Sequence, residues 1–183
     1  RELFLKDPDG SVRGYAAWCL VHYDKAKLGD LWPELEKRAI QGDWNSAAAL
    51  AAHGHEDSIQ FMINSWPGGT NDYYEGGLHG SILRKNARES SLTEAHKKAI
   101  GNLLASTDPR LKANAAMVAL SFDPRAREAL LSCLNADTVL HSRSLFDEAL
   151  EAALATKDAS LRSALERVLP KLAYQPQRAE AVR

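Results

Sequence analysis

The stretch Ala99–Phe122 constrains the fold more than any other part of the 183-residue chain. It closes one amphipathic helix at Ile100, Leu103 and Leu104, breaks at Ser106-Thr107, and restarts at Asp108-Pro109. Aspartate suits an N-cap, and proline is pre-set for the first helical turn. Leu111, Ala115, Val118 and Phe122 then recur every three or four residues, which predicts a second helix with one apolar stripe; its alanines admit a close neighbour. A helical hairpin of this size leaves its outer faces bare and requires copies of itself to cover them.

The copies are in the sequence. Asp9 to Cys19 overlays Asp108 to Val118 at an offset of 99 residues: Val12 falls on Leu111, Arg13 on Lys112, and Ala16-Ala17 on Ala115-Ala116. That offset predicts three units of about 33 residues, a period used by stacked helix pairs. Asp43 opens an intervening second helix, Asn71-Asp72 another from Tyr73 to Asn86, and Asp137 a fifth before Leu140 to Leu154. First helices have start signals of their own: Asp30 before Leu31-Trp32-Pro33, Glu56-Asp57 before Ile59 to Trp66, a capping box of Ser91 with Glu94, Asp123-Pro124, and Asp158 before the last helix. No window alternates as a half-buried strand does, so an all-α chain is expected. Gly76, Gly77 and Gly80 lie inside the third second helix, each costing about 1 kcal/mol against alanine, which predicts a kink or a shortening there.

Asp7-Pro8-Asp9-x-x-Val12-Arg13-x-x-Ala16-Ala17 resembles the second helix of a HEAT-type repeat, and Asp108 to Ala116 is a weaker version of it. The resemblance implies a right-handed α-solenoid of about five antiparallel helix pairs over residues 1–174, with a polar, fraying tail at 175–183. It also implies that Asp9, Arg13, Asp108 and Lys112 belong to a ladder between neighbouring repeats before they belong to any site.

Composition narrows the partners. With 23 basic and 24 acidic residues the formal charge is -1, so no net field draws the chain to nucleic acid or an anionic membrane. No apolar run approaches the roughly 18 residues that span a bilayer, and Arg1 to Leu5 lacks the apolar core of a signal peptide. A cytoplasmic protein is expected. The chain starts without methionine in what reads as the middle of a helix, which suggests a fragment of a longer chain. Cys19 and Cys133 fall in apolar helical patterns and read as small buried hydrophobes, in keeping with a reducing compartment.

Catalytic and metal signals are sparse. His53-Gly54-His55-Glu56 offers three ligands at one turn, but histidine also suits a helix C-terminus and Gly54 a left-handed cap. One enzyme family on this scaffold resembles deoxyhypusine hydroxylase and holds a di-iron site with repeated His-Glu pairs; only His55-Glu56 is such a pair here, so no metal or other cofactor is expected. Ser81 beside His79 lacks an orienting acid and an oxyanion hole, and no phosphate-binding glycine loop is present. HEAT-like proteins resembling the alkylpurine DNA glycosylases work through a basic concave face. Arg84-Lys85-Asn86-Ala87-Arg88 with Tyr73-Tyr74 is the nearest match, yet a solvated helix end accounts for the arginines, and nucleic acid is not the expected partner.

What remains is surface. If Val12, Ala16, Cys19 and Tyr23 are the buried stripe of their helix, then Tyr15, Trp18 and His22 turn to another side. In HEAT-like stacks the second helices line the concave face. Asn114 and Met117 are the aligned positions of the fourth unit, and Tyr73 and His79 those of the third. Aromatic and Met side chains are enriched where proteins meet. The expectation is a non-enzymatic scaffold or adaptor that binds a protein or peptide in this groove. The alternatives are that these rings pack between repeats, that the groove binds nucleic acid, or that a metal enzyme sits on the scaffold.

Overall fold

The structure, a computed structural model, describes residues 1–68, 75–134, 150, 154 and 157–168. Among them are ten α-helices and no strand: α1 (Glu2–Lys6), α2 (Gly10–Cys19), α3 (Trp32–Ile40), α4 (Trp44–Ala52), α5 (Glu56–Ser65), α6 (Glu75–Arg88), α7 (Glu94–Leu103), α8 (Pro109–Ala119), α9 (Arg125–Leu134) and α10 (Ala159–Val168). None of these helices is long and apolar enough to cross a membrane. The fifth second helix, the loop after Gly68, Tyr73 and the tail from Gln175 lie outside the described residues, apart from Leu150 and Leu154.

The aspartate caps form as their positions predict. Asp9 accepts from the Ser11 amide, Asp43 from that of Asn45, Asp108 from those of Arg110 and Leu111, and Asp158 from those of Ser160 and Leu161. Each answers one or two of the N–H groups that a first helical turn leaves open. Two starts differ from expectation. His55, not an acid, caps α5 through Nδ1, which accepts from the Ser58 amide, so Glu56 and Asp57 fall inside the first turn. The predicted Ser91/Glu94 box is replaced two residues on by a reciprocal pair: His96 N–H donates to Thr93 Oγ1, and Thr93 N–H to His96 Nδ1. Here an imidazole does the work usually given to Glu or Gln at that position. α6 runs from Glu75 to Arg88 without a break, through all three glycines.

The chain divides into two compact units, Arg1–Gly68 with Ser81–His96, and Gly69–Gly80 with Lys97–Arg183. In the first, α4 is the hub. It packs against α2, α3 and α5, and Ser46 to Ala52 are all buried. A helix so rich in alanine presents a thin surface, and its neighbours come close. A Cβ on Gly14 of α2 would lie 3.1 Å from Asn45 Nδ2. This approach corrects the stripe expected on α2: the buried residues are Ala17, Leu20 and Val21, whereas Cys19 and Tyr23 are exposed and Val12 and Ala16 only half-buried. The contact face is the small-residue face Gly14-Ala17, because only small residues fit against the alanines of α4.

The last carbonyls of α4 have few backbone donors, the Gly54 amide bonding to Ala51 O at 3.0 Å. Side chains from elsewhere satisfy them. Asn86 Nδ2 donates to Ala51 O at 2.8 Å, Lys85 Nζ to Ala52 O at 2.6 Å, and Lys25 Nζ to His53 O at 2.8 Å. Gly54 then reverses the chain at φ +84°, as the capping reading of this turn predicts.

In the second unit α8 packs against α9, and α9 against α10. Ala113, Ala115 to Ala119, Leu130, Cys133 and Leu134 are buried, so the expected interior place of Cys133 and Val118 holds, while Leu111 and Phe122 are half-buried. Burial raises the Cys133 thiol pKa, which keeps it protonated and unreactive. Asp158 joins α9 to α10 through Arg127 Nε at 2.6 Å, and the guanidinium holds its carboxyl below the ordinary range.

Candidate functional site

α2 positions the aromatic residues singled out in the sequence. Once Gly14 and Ala17 turn toward α4, residues three and seven places apart on the far side are left outward, and these are Tyr15, Trp18 and His22. The Tyr15 and Trp18 rings stack with centroids 6.1 Å apart and planes 16° from parallel. The His22 ring meets Trp18 edge-on at 5.8 Å. Tyr15 is 69 % exposed and His22 is exposed, while Trp18 is half-buried between them. Tyr23, 54 % exposed, and Cys19 continue the outward surface.

This row is held from both ends. Asp9 caps the start of α2, and Arg13 Nη1 donates to the carbonyls of Asp7 and Pro8 at 2.6 and 3.0 Å, which fastens the preceding turn. Those bonds are local, as are those of Asp108, rather than the inter-repeat ladder that the resemblance implies. At the other end, the last turn of α2 passes into a short 3-10 turn, Leu20–His22, whose Leu20 carbonyl accepts from buried His53 Nε2 at 3.0 Å. Three pre-stacked rings lose little freedom on contact with another surface, which is the property of a contact hot spot.

The other expected contact residues separate from this row. His79 is 1 % and Met117 3 % exposed, so both are interior residues and are corrected as groove residues: Met117 fills space that the alanines of α8 leave, and His79 lies between the glycines of α6, which leave room beside it. Asn114 is half-buried on α8, in the other unit. Tyr73 lies outside the described residues.

The histidine turn is occupied by structural work. Burial lowers the pKa of His53, which is consistent with its neutral ring donating to Leu20 O. His55 caps α5, contacts Ser58 Oγ at 2.9 Å, and lies 3.5 Å from Glu36 Oε1. Among the described residues, no three His, Cys, Asp or Glu side chains converge as a metal-binding group. In the basic run Arg88 is exposed and Arg84 half-buried. Between them, Lys85 and Asn86 bond to the end of α4.

A second surface went unnoticed in the sequence. α3, α4 and α5 enclose an open cleft of about 310 Å³ lined by Ile40, Phe61, Glu36, His55 and Asp57 over a floor of Ala47 and Leu50. Ile40, 87 % exposed, was the available signal: an isoleucine at the end of a helix before Gln41-Gly42 that no stripe claims.

No family model, curated protein or solved structure matches the chain.

Proposed function

We propose that the protein is a non-enzymatic scaffold, a right-handed HEAT-like α-solenoid of about five helix pairs, that binds a protein or peptide through the groove formed by its second helices. The observation that carries the binding role is the stacked, outward row Tyr15, Trp18 and His22. The repeat reading draws support from the order of packing in the first unit, where α1 meets α2, α3 meets α4, and the second helices α2 and α4 meet each other. Two free cysteines accord with a reducing, cytoplasmic setting.

Nucleic acid is a weaker candidate for this surface. Lys25 and Lys85 commit their ammonium groups to backbone carbonyls, and a chain with a formal charge of -1 has little counterion release to drive phosphate binding. A photo-crosslinking amino acid placed at Tyr15 and irradiated in extract of the native source separates the two. The scaffold reading expects a discrete protein adduct identifiable by mass spectrometry. Nuclease-sensitive adducts in its place would transfer the reading to nucleic acid.

A further inference from the structure

We propose that the cleft between α3 and α5 is a second docking site, which takes a peptide segment with one large apolar side chain flanked by lysine or arginine. It is independent of the aromatic row on α2, since its walls are the first helices of two successive pairs and its floor is α4.

Its volume of about 310 Å³ lies at the lower end of the range for ligand pockets, a size suited to one or two side chains rather than to a cofactor. Ile40 at 87 % and Phe61 at 37 % exposure present apolar surface on opposite walls, with buried Ala47 and Leu50 beneath. Exposed apolar residues scattered singly are ordinary, but two that line one concave cleft over an apolar floor form a seat for an anchor side chain.

Charge complementarity names the flank. The rim carries two carboxylates, Glu36 and Asp57, and its only basic group is the His55 imidazole, which faces Glu36 at 3.5 Å. The nearby Lys37 is directed to Glu34 at 3.6 Å, and Arg38 to the same carboxylate at 2.8 Å, so neither neutralises this rim. Lys25 lies over the Trp32 ring and donates to the His53 carbonyl. A cation beside the apolar anchor therefore meets a rim with two carboxylates against one imidazole, whereas an acidic segment is disfavoured. Glu36 is itself held in place, since Trp32 Nε1 donates to its Oε1 at 2.7 Å and the Trp32 ring meets His55 edge-on at 6.0 Å.

The test selects a random dodecapeptide phage library on the full chain and counter-selects it on Ile40→Ser, a change at a position exposed enough to leave the fold intact. Surviving clones should share a large apolar residue with Lys or Arg within a few positions. A synthetic peptide from the leading clone should lose about tenfold or more in affinity, by fluorescence polarisation, against Glu36→Gln/Asp57→Asn, with the melting curve of that variant confirming its fold. Clones without a basic residue, clones with acidic flanks, or no clone that depends on Ile40 would overturn the proposal. Sedimentation equilibrium provides the remaining outcome: a dimer that Ile40→Ser converts to monomer would make a second copy of the chain the occupant, and would overturn the peptide assignment.

Discussion

Asn86 closes the end of α4 by donating from Nδ2 to the Ala51 carbonyl at 2.8 Å, and from the same nitrogen to Ile82 O at 2.9 Å within its own helix. Both partners are buried, and Asn86 has no exposed surface. The Gly54 amide also donates to the Ala51 carbonyl, at 3.0 Å, so Asn86→Ala removes one of its two donors and should cost about 1 kcal/mol, read from urea unfolding. A loss below about 0.5 kcal/mol would mean that water or a shifted Lys85 replaces the amide without penalty.

The approach of α2 to α4 makes a second prediction. A Cβ at Gly14 would stand 3.1 Å from Asn45 Nδ2, so a longer side chain would have to push the Asn45 amide aside in the seam between α2 and α4. Gly14→Leu should destabilise the first unit by about 1 to 3 kcal/mol despite the better helix propensity of leucine. A stabilised variant in thermal unfolding would show that α2 can tilt away freely.

Two buried imidazoles predict the response to mild acid. Burial lowers the pKa of both His53 and His96 from the ordinary 6.5. The unfolded chain then binds protons that the folded chain refuses, so stability is full above pH 6.5 and declines as pH falls from there through the folded values. The melting temperature should drop across this window, and His53→Gln should flatten part of the drop. A profile that is level until the carboxylates titrate, below about pH 4.5, would contradict the neutral assignment of these rings.

Much of this was legible in the chain. Aspartates in front of apolar-periodic runs located the starts of α2, α4, α8 and α10, because a cap is a local contest between a side chain and a few amides, decided by residues two or three places apart. The face of α2 was not. Its buried side is set by how closely α4 approaches, and Gly14-Ala17 reads as a weak stripe unless the alanines of α4 are known to lie opposite. His79 and Met117 were misplaced for a related reason: amphipathic spacing cannot separate a groove residue from one that fills a gap left by small neighbours, glycines on α6 and alanines on α8. The cleft beside Ile40 requires three helices to be assembled before it exists.

Asp158 separates capping from ion pairing. Its carboxylate accepts two amide bonds at the start of α10 and one strong bond from Arg127, which is half-exposed. Asp158→Ala should cost about 1 kcal/mol, chiefly the cap, whereas Arg127→Ala should cost less because solvent screens the pair. Equal losses in a double-mutant cycle, with coupling near the full effect, would reverse that order.

The central claim is that the Tyr15, Trp18 and His22 row is a contact surface rather than part of the core. Tyr15→Ala/His22→Ala alters only exposed side chains and spares half-buried Trp18. Quantitative affinity capture of the crosslinked partner, with the melting temperature recorded on the same preparations, is the direct measurement. The account predicts a loss of binding of about tenfold or more, on the order of 1.4 kcal/mol, with melting unchanged within about 2 °C. Unchanged capture together with a melting temperature lowered by about 4 °C or more would contradict it, and would assign these rings to packing.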